Sequence, residues 1–256
     1  MIIYKLGAIL GKKSVKNLRL SNYLPPDLPD PPPSIDWITG RESKLAMRHN
    51  NEVGNCVEVA FWNTLAVDAD NSGDTFQDDF DGALRDYETI TGYDPANPDS
   101  DQGTDPEVAL KFYSNLPDDD PRKILAYCEV NRYNLREVRQ ALQIFGGLYT
   151  ALALPASAQE QVGKVWDVPL LRGPLSVPGS WGGHMVLQQR IDVTSIPFGE
   201  SVDTWGTTQA MTEAFRLKYC SAQYVFITPE WIAANGMAPS GVNLQQMLDD
   251  VAVLKE

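Results

Sequence analysis

The chain of 256 residues is poor in the side chains that carry reactive chemistry, with three cysteines (Cys56, Cys128, Cys220) and two histidines (His49, His184). An odd, sparse cysteine count does not describe a disulfide framework. It fits a reducing compartment, and a cytoplasmic protein is expected. No apolar run approaches the roughly 20 residues that a membrane span needs. The opening MIIYKLGAILGKKS is interrupted at Lys5, unlike the unbroken apolar stretch of a secretory signal. Positive charge is scarce as well: 21 Lys and Arg stand against 34 Asp and Glu, a net charge of −13. Nucleic acids and anionic membranes need a basic face, so neither is an expected partner.

What is present is an ordinary globular composition, 43% hydrophobic and 21% charged, long enough for one large domain or two close subdomains. Residues 1–33 form a basic, Pro-rich arm. Five basic residues (Lys5, Lys12, Lys13, Lys16, Arg19) against Asp27 and Asp30 give it a balance of +3, leaving −16 for the other 223 residues. PPDLPDPPP at 25–33 should run extended. The arm is expected as a strap across the acidic body of its own chain, or as a docking arm for a protein partner.

Beyond the arm, CVEVAFWNTLAVDA reads as a buried helix over 56–69, with Gly54-Asn55 as turn and N-cap. A loop-rich acidic stretch follows over 68–106, with a short helix near 80–87. Asp105-Pro106 opens a helix over 106–114. The second half is richer in strands, expected at 124–130, 148–154, 184–193 and 222–228. Asn134 caps a helix that Gly146-Gly147 ends, and a last helix is expected over 243–254. Helices first and strands later is the order of an α+β protein with two subdomains. The expected divisions are a helical half at 34–118, a strand-rich half at 119–228 and a helical extension at 229–256.

Cys56 opens an apolar helix, where the helix dipole favours a thiolate. Cys128 falls inside an expected strand and Cys220 just ahead of one, and both read as packed thiols. His184 follows a Gly-Gly turn and leads a strand, so its side chain is anchored yet faces a crevice. A cysteine at a helix start with a histidine on a distant strand is an arrangement used by thiol nucleophiles. Asp68, Asp70, Ser72, Gly73 and Asp79 partly imitate an EF-hand calcium loop. The spacing is imperfect, so a solvated acidic turn is expected, with no metal and no cofactor.

SIDW at 34–37, GNC at 54–56, GTDPEVALKF at 103–112, LREVRQALQIFGGLYTALAL at 135–154, GGHMVL at 182–187 and DTWG at 203–206 together resemble the landmarks of papain-like cysteine peptidases, in family order. The resemblance implies a papain-like α+β fold: a helical subdomain and a small β-barrel-like subdomain with the cleft between them. It implies a thiol-dependent hydrolase of peptide or isopeptide bonds with a peptide or protein substrate. Cys56 would be the nucleophile, His184 the general base and acid, Asp203 the residue orienting the imidazole, Trp205 its shield, and Asn50 the oxyanion donor. The departures are Val53 where the family has a disulfide cysteine, Val57 for the tryptophan after the nucleophile, and Glu58 for a small residue. A long pro-segment is not expected with SIDW so near Met1. Restraint would then come from narrow specificity, from the arm and loops covering the cleft, or from loss of activity. The alternatives are a catalytically silent papain-fold assembly protein, for example a viral or phage particle component, and another Cys-His-Asp enzyme such as a cell-wall amidase or transglutaminase.

Overall fold

A computed structural model describes residues 4–11, 17–73, 75–170, 173–195, 199–229 and 244–255. Its helices are α1 (Cys56–Ser72), α2 (Gly82–Thr91), α3 (Pro106–Ser114), α4 (Leu135–Phe145), α5 (Glu213–Tyr219) and α6 (Leu244–Lys255). Its strands are β1 (Ser34–Asp36), β2 (Ala126–Glu129), β3 (Leu148–Leu154), β4 (Val165–Trp166), β5 (Gly182–Asp192), β6 (Glu200–Thr204), β7 (Thr207–Met211) and β8 (Cys220–Ile227). The class is α+β. No described helix is long and apolar enough to cross a membrane.

α1 carries apolar residues on all sides and is buried from Cys56 to Asp68, as a central helix must be. Its entry departs from the sequence expectation. Asn55 occupies the N-cap position, but its Nδ2 donates to Arg48 O at 2.8 Å and its side chain caps nothing. Capping is as expected where the preceding residue is extended: Asp105 accepts from Glu107 N–H at 2.8 Å for α3, and Asn134 from Glu137 N–H at 3.3 Å for α4. The calcium-loop resemblance is overturned. Asp68, Asp70 and Ser72 lie on the last turns of α1, and a helix cannot wrap them around an ion. Asp70 pairs instead with Arg41 and Lys44, each at 3.0 Å.

The sheet runs β2-β8-β3-β5-β6-β7-β4, with β1 added to β5. Every pairing is antiparallel except β4 with β7. β5, the longest strand, pairs with β3, β6 and β1. Three main apolar clusters result. One joins α1 and α3 to Tyr149, Met185 and Phe226 of the sheet. A second joins α4 to β2 and takes in Leu20 and Tyr23 of the arm. The third gathers Trp166, Trp205, Phe215 and Tyr219. Lys12, Lys13 and Lys16 lie outside the described residues. The described part of the arm is held by backbone bonds and apolar burial as well as charge: Leu20 is fully buried, and Arg19 reaches Glu129 at 2.7 Å.

A buried ion pair lies under the sheet. Arg216 Nε donates to Glu200 Oε1 and Oε2 at 3.0 and 2.8 Å, while Gln188 Nε2 donates to Oε2 at 2.9 Å. Both charged residues are at most 4% exposed. Removing one partner strands the other charge, so Arg216→Met is expected to cost about 3–5 kcal/mol in urea unfolding. Adding Glu200→Leu should recover most of that loss; a double variant no more stable than Arg216→Met alone would refute the account.

Candidate active site

Cys56 is the first residue of α1 and is 1% exposed. The turn before it is fixed by Asp101, whose Oδ1 accepts from Gly54 N–H at 2.9 Å and from the Tyr87 hydroxyl at 2.7 Å. Across from it, the Met185 N–H of β5 donates to Cys56 Sγ at 3.4 Å. That contact puts the thiol beside the peptide unit joining His184 to Met185. Burial pushes the Cys56 thiol up to about 12; the N–H groups of Met185, Gly7 and Ala8 pull against it. The thiol is therefore protonated, and here desolvation outweighs the helix dipole. Glu58 is fully buried and pushed up to about 8, mainly by burial. It is neutral at neutral pH and opposes a thiolate weakly.

His184 is fully buried, and its ring stacks on Trp205 with centroids 4.5 Å apart and 18° between planes. Nε2 meets Thr204 Oγ1 at 2.6 Å, while Nδ1 has no hydrogen-bond partner among the described residues. Trp205 and Gly206 both take positive φ, 49° and 72°, in the two-residue loop joining β6 to β7. Such a loop matches the twist of its strands, and here it lays the indole over the imidazole. The sequence assigned the orienting bond to Asp203. In the structure Nε2 meets Thr204 Oγ1 instead, and the Asp203 carboxyl group is buried with no hydrogen-bond partner among the described residues. Successive residues of a strand face opposite sides, so the two cannot both face His184. Burial raises the Asp203 carboxyl well above its usual range, and nearby Asp36 and Glu42 add to the shift.

Asn50 is buried, but its Nδ2 donates to Val53 O at 3.2 Å. His49 lies apart, with Nε2 at 2.8 Å from Asp81 Oδ1, a bond that raises its pKa. None of the three cysteines is in a disulfide, and Cys128 and Cys220 are buried in β2 and β8.

No family model and no curated protein matches the sequence. Among solved structures, xylellain, a cysteine protease from Xylella fastidiosa, is similar with a TM-score of 0.68, at 14% identity, over 88% of this chain and 96% of its own. The fold is papain-like. The Carica candamarcensis cysteine protease CMS1MS2, solved with E-64, is also similar, at a TM-score of 0.47 and 12% identity over 77% of this chain and 99% of that one.

In this papain-like frame the cleft holds the chain's own N-terminal strap. Gly7 and Ala8 N–H donate to Gly183 O at 3.2 and 3.0 Å. On the other wall, Thr104 N–H donates to Gly7 O at 2.7 Å and Ile9 N–H to Thr104 O at 2.9 Å, a parallel bridge. Lys5 N–H donates to Asn50 O at 3.2 Å, Trp205 Nε1 to Lys5 O at 3.1 Å, and Tyr4 packs on the Trp205 ring. The fit is glycine-tight: a Cβ on Gly7 would lie 1.7 Å from Gly54 O, and one on Gly183 would lie 1.9 Å from Ala8 O. The strap was the signal least visible in the sequence, because its hold is made by backbone atoms.

The buried imidazole gives a pH prediction. Burial lowers its pKa to about 3, whereas an exposed histidine titrates near 6.5. This lowered group stabilises the fold fully above pH ~6.5 and loses that contribution as pH falls toward ~3, at up to about 1.4 kcal/mol per pH unit. Unfolding free energies measured across that window should fall more steeply for the wild type than for His184→Gln, by about one proton. Equal slopes would show that the imidazole is not desolvated.

Proposed function

We propose that the protein is a latent thiol hydrolase acting on peptide or isopeptide bonds, with Cys56 as nucleophile and His184 as general base and acid. The observation that carries this reading is the approach of α1 to β5, with Cys56 Sγ 3.4 Å from the N–H that directly follows His184. Acyl transfer needs a nucleophile and a base held on opposing rigid elements, and the approach of Cys56 to the backbone next to His184 supports that pairing. The thiolate would attack the carbonyl carbon and form a thioester as the amine leaves, and water would then release the acid.

Latency follows from the strap. It bonds through its Gly7 and Ala8 N–H groups to Gly183 O and through Gly7 O to Thr104 N–H, so it fills the space beside the thiol and blocks it. With the strap in place the thiol is protonated, the imidazole is neutral and, among the described residues, no hydrogen bond joins Nδ1 to a partner. Leaving the cleft would hydrate both groups and bring their pKa values closer together. A second reading, a papain-like fold kept without catalysis, draws on Asn50, whose amide donates to Val53 O rather than standing open as an oxyanion donor.

Gly7→Val in the full chain tests the choice. The clash with Gly54 O should weaken the strap's hold by about 10- to 100-fold. Iodoacetamide should then alkylate Cys56 near pH 6 faster than a free thiol of pKa ~8.5, read by mass spectrometry of the modified peptide. His184→Ala in that background should remove the excess rate. If Cys56 of Gly7→Val reacts no faster than a free thiol at pH 6, the silent reading replaces the hydrolase.

A further inference from the structure

The hydrogen bond on Nε2 of His184 bears on which ring nitrogen carries the proton, and the residue making it is not the one that the family landmarks select. Nε2 and Thr204 Oγ1 are 2.6 Å apart, and Thr204 is 5% exposed. A threonine hydroxyl can accept or donate, so two arrangements fit the distance. If the hydroxyl donates, the ring proton sits on Nδ1, where it is a buried N–H with no acceptor among the described residues. If the hydroxyl accepts, the proton sits on Nε2 and Nδ1 carries only an unused lone pair. The first arrangement leaves over a ring N–H whose direction the stacked ring fixes, while the second leaves over the hydroxyl proton, which turns about its own bond to suit its surroundings; that freedom favours the second.

The surroundings fix it further. The Trp205 ring stacks on the imidazole at 4.5 Å and bars rotation out of its plane. Trp205 is held by its own Nε1 bond to Lys5 O at 3.1 Å and by the positive-φ turn. Asp203, one residue earlier on the strand, falls on its other face, and its carboxyl oxygens have no hydrogen-bond partner among the described residues.

We propose that Thr204 is the positioning residue of His184, its neutral hydroxyl accepting from Nε2–H and so leaving the lone pair on Nδ1, with Asp203 taking no part. Only the catalytic meaning of this assignment rests on the hydrolase reading; the tautomer itself does not. A hydroxyl differs in kind from the carboxylate expected there. A carboxylate partner would favour imidazolium, whereas a hydroxyl orients the ring without adding charge. The base of this site is therefore a neutral imidazole set by geometry alone.

The test is nitrogen NMR of the full chain labelled in its histidine rings, which is readable because there are only two histidines, and His49→Gln assigns the pair. At neutral pH, His184 in the wild type should show a protonated Nε2 and a lone-pair Nδ1. Thr204→Ser should keep that pattern, Thr204→Val should lose it, and Asp203→Asn should leave it unchanged. A wild-type ring protonated on Nδ1 overturns the proposal without any variant, which covers the case of Thr204→Val failing to fold. Loss of the pattern in Asp203→Asn overturns it too. In the Gly7→Val background, Thr204→Val should slow alkylation of Cys56 by at least ~10-fold, while Thr204→Ser restores it. The wild-type tautomer with an unreactive Cys56 in Gly7→Val would sink the hydrolase and leave the positioning role standing.

Discussion

The approach of the α1 N-terminus to β5 constrains everything around it. For a thiol to sit 3.4 Å from a strand N–H, helix and strand must meet at backbone distance, and the groups flanking the contact must be small. Gly54 on the helix side and Gly183 on the strand side meet that demand. The same absence of side chains leaves two backbone walls a strand's width apart, one ending at Thr104 and the other at Gly183. A polypeptide can bond to both at once, and residues 7–9 do so. Burial of the thiol, neutrality of the imidazole and occupancy of the cleft thus occur together in this structure. Each charged form is unfavourable while the strap keeps water out.

Elements set by local chemistry were legible in the sequence. The strand at 148–154 was read with its observed ends, because Gly146-Gly147 and Pro155 bracket it. α3 and α4 were legible through Asp105 and Asn134, whose side chains cap as their types predict. Asn55 misled because Arg48 O, in the turn seven residues earlier, took its amide. α5 and the short parallel strand β4 carried no strong period of their own; their place depends on packing around Trp166 and Phe215.

For the site, Cys56 and His184 were visible from what precedes them, a Gly-x turn and a Gly-Gly turn. The partner of His184 was not. A motif names residues in order, but a strand alternates its faces, so a shift of one residue exchanges what points inward. Asp203 and Thr204 differ by that one step, and only the register of β6 on β5 separates them. The strap was foreseen as a covering held by charge. Its hold on the cleft is instead a set of backbone hydrogen bonds around Gly7, which no charge pattern encodes.

Because residues 4–11 and the cleft belong to one polypeptide, their association has no dependence on how much protein is present. An intramolecular ligand of this kind is present at an effective concentration on the order of millimolar. Dilution therefore cannot open the cleft, and a free peptide must compete against that local concentration before it meets the sulfur. On the hydrolase reading, that competitor would show as a raised apparent Michaelis constant, carried within each molecule and identical in all of them.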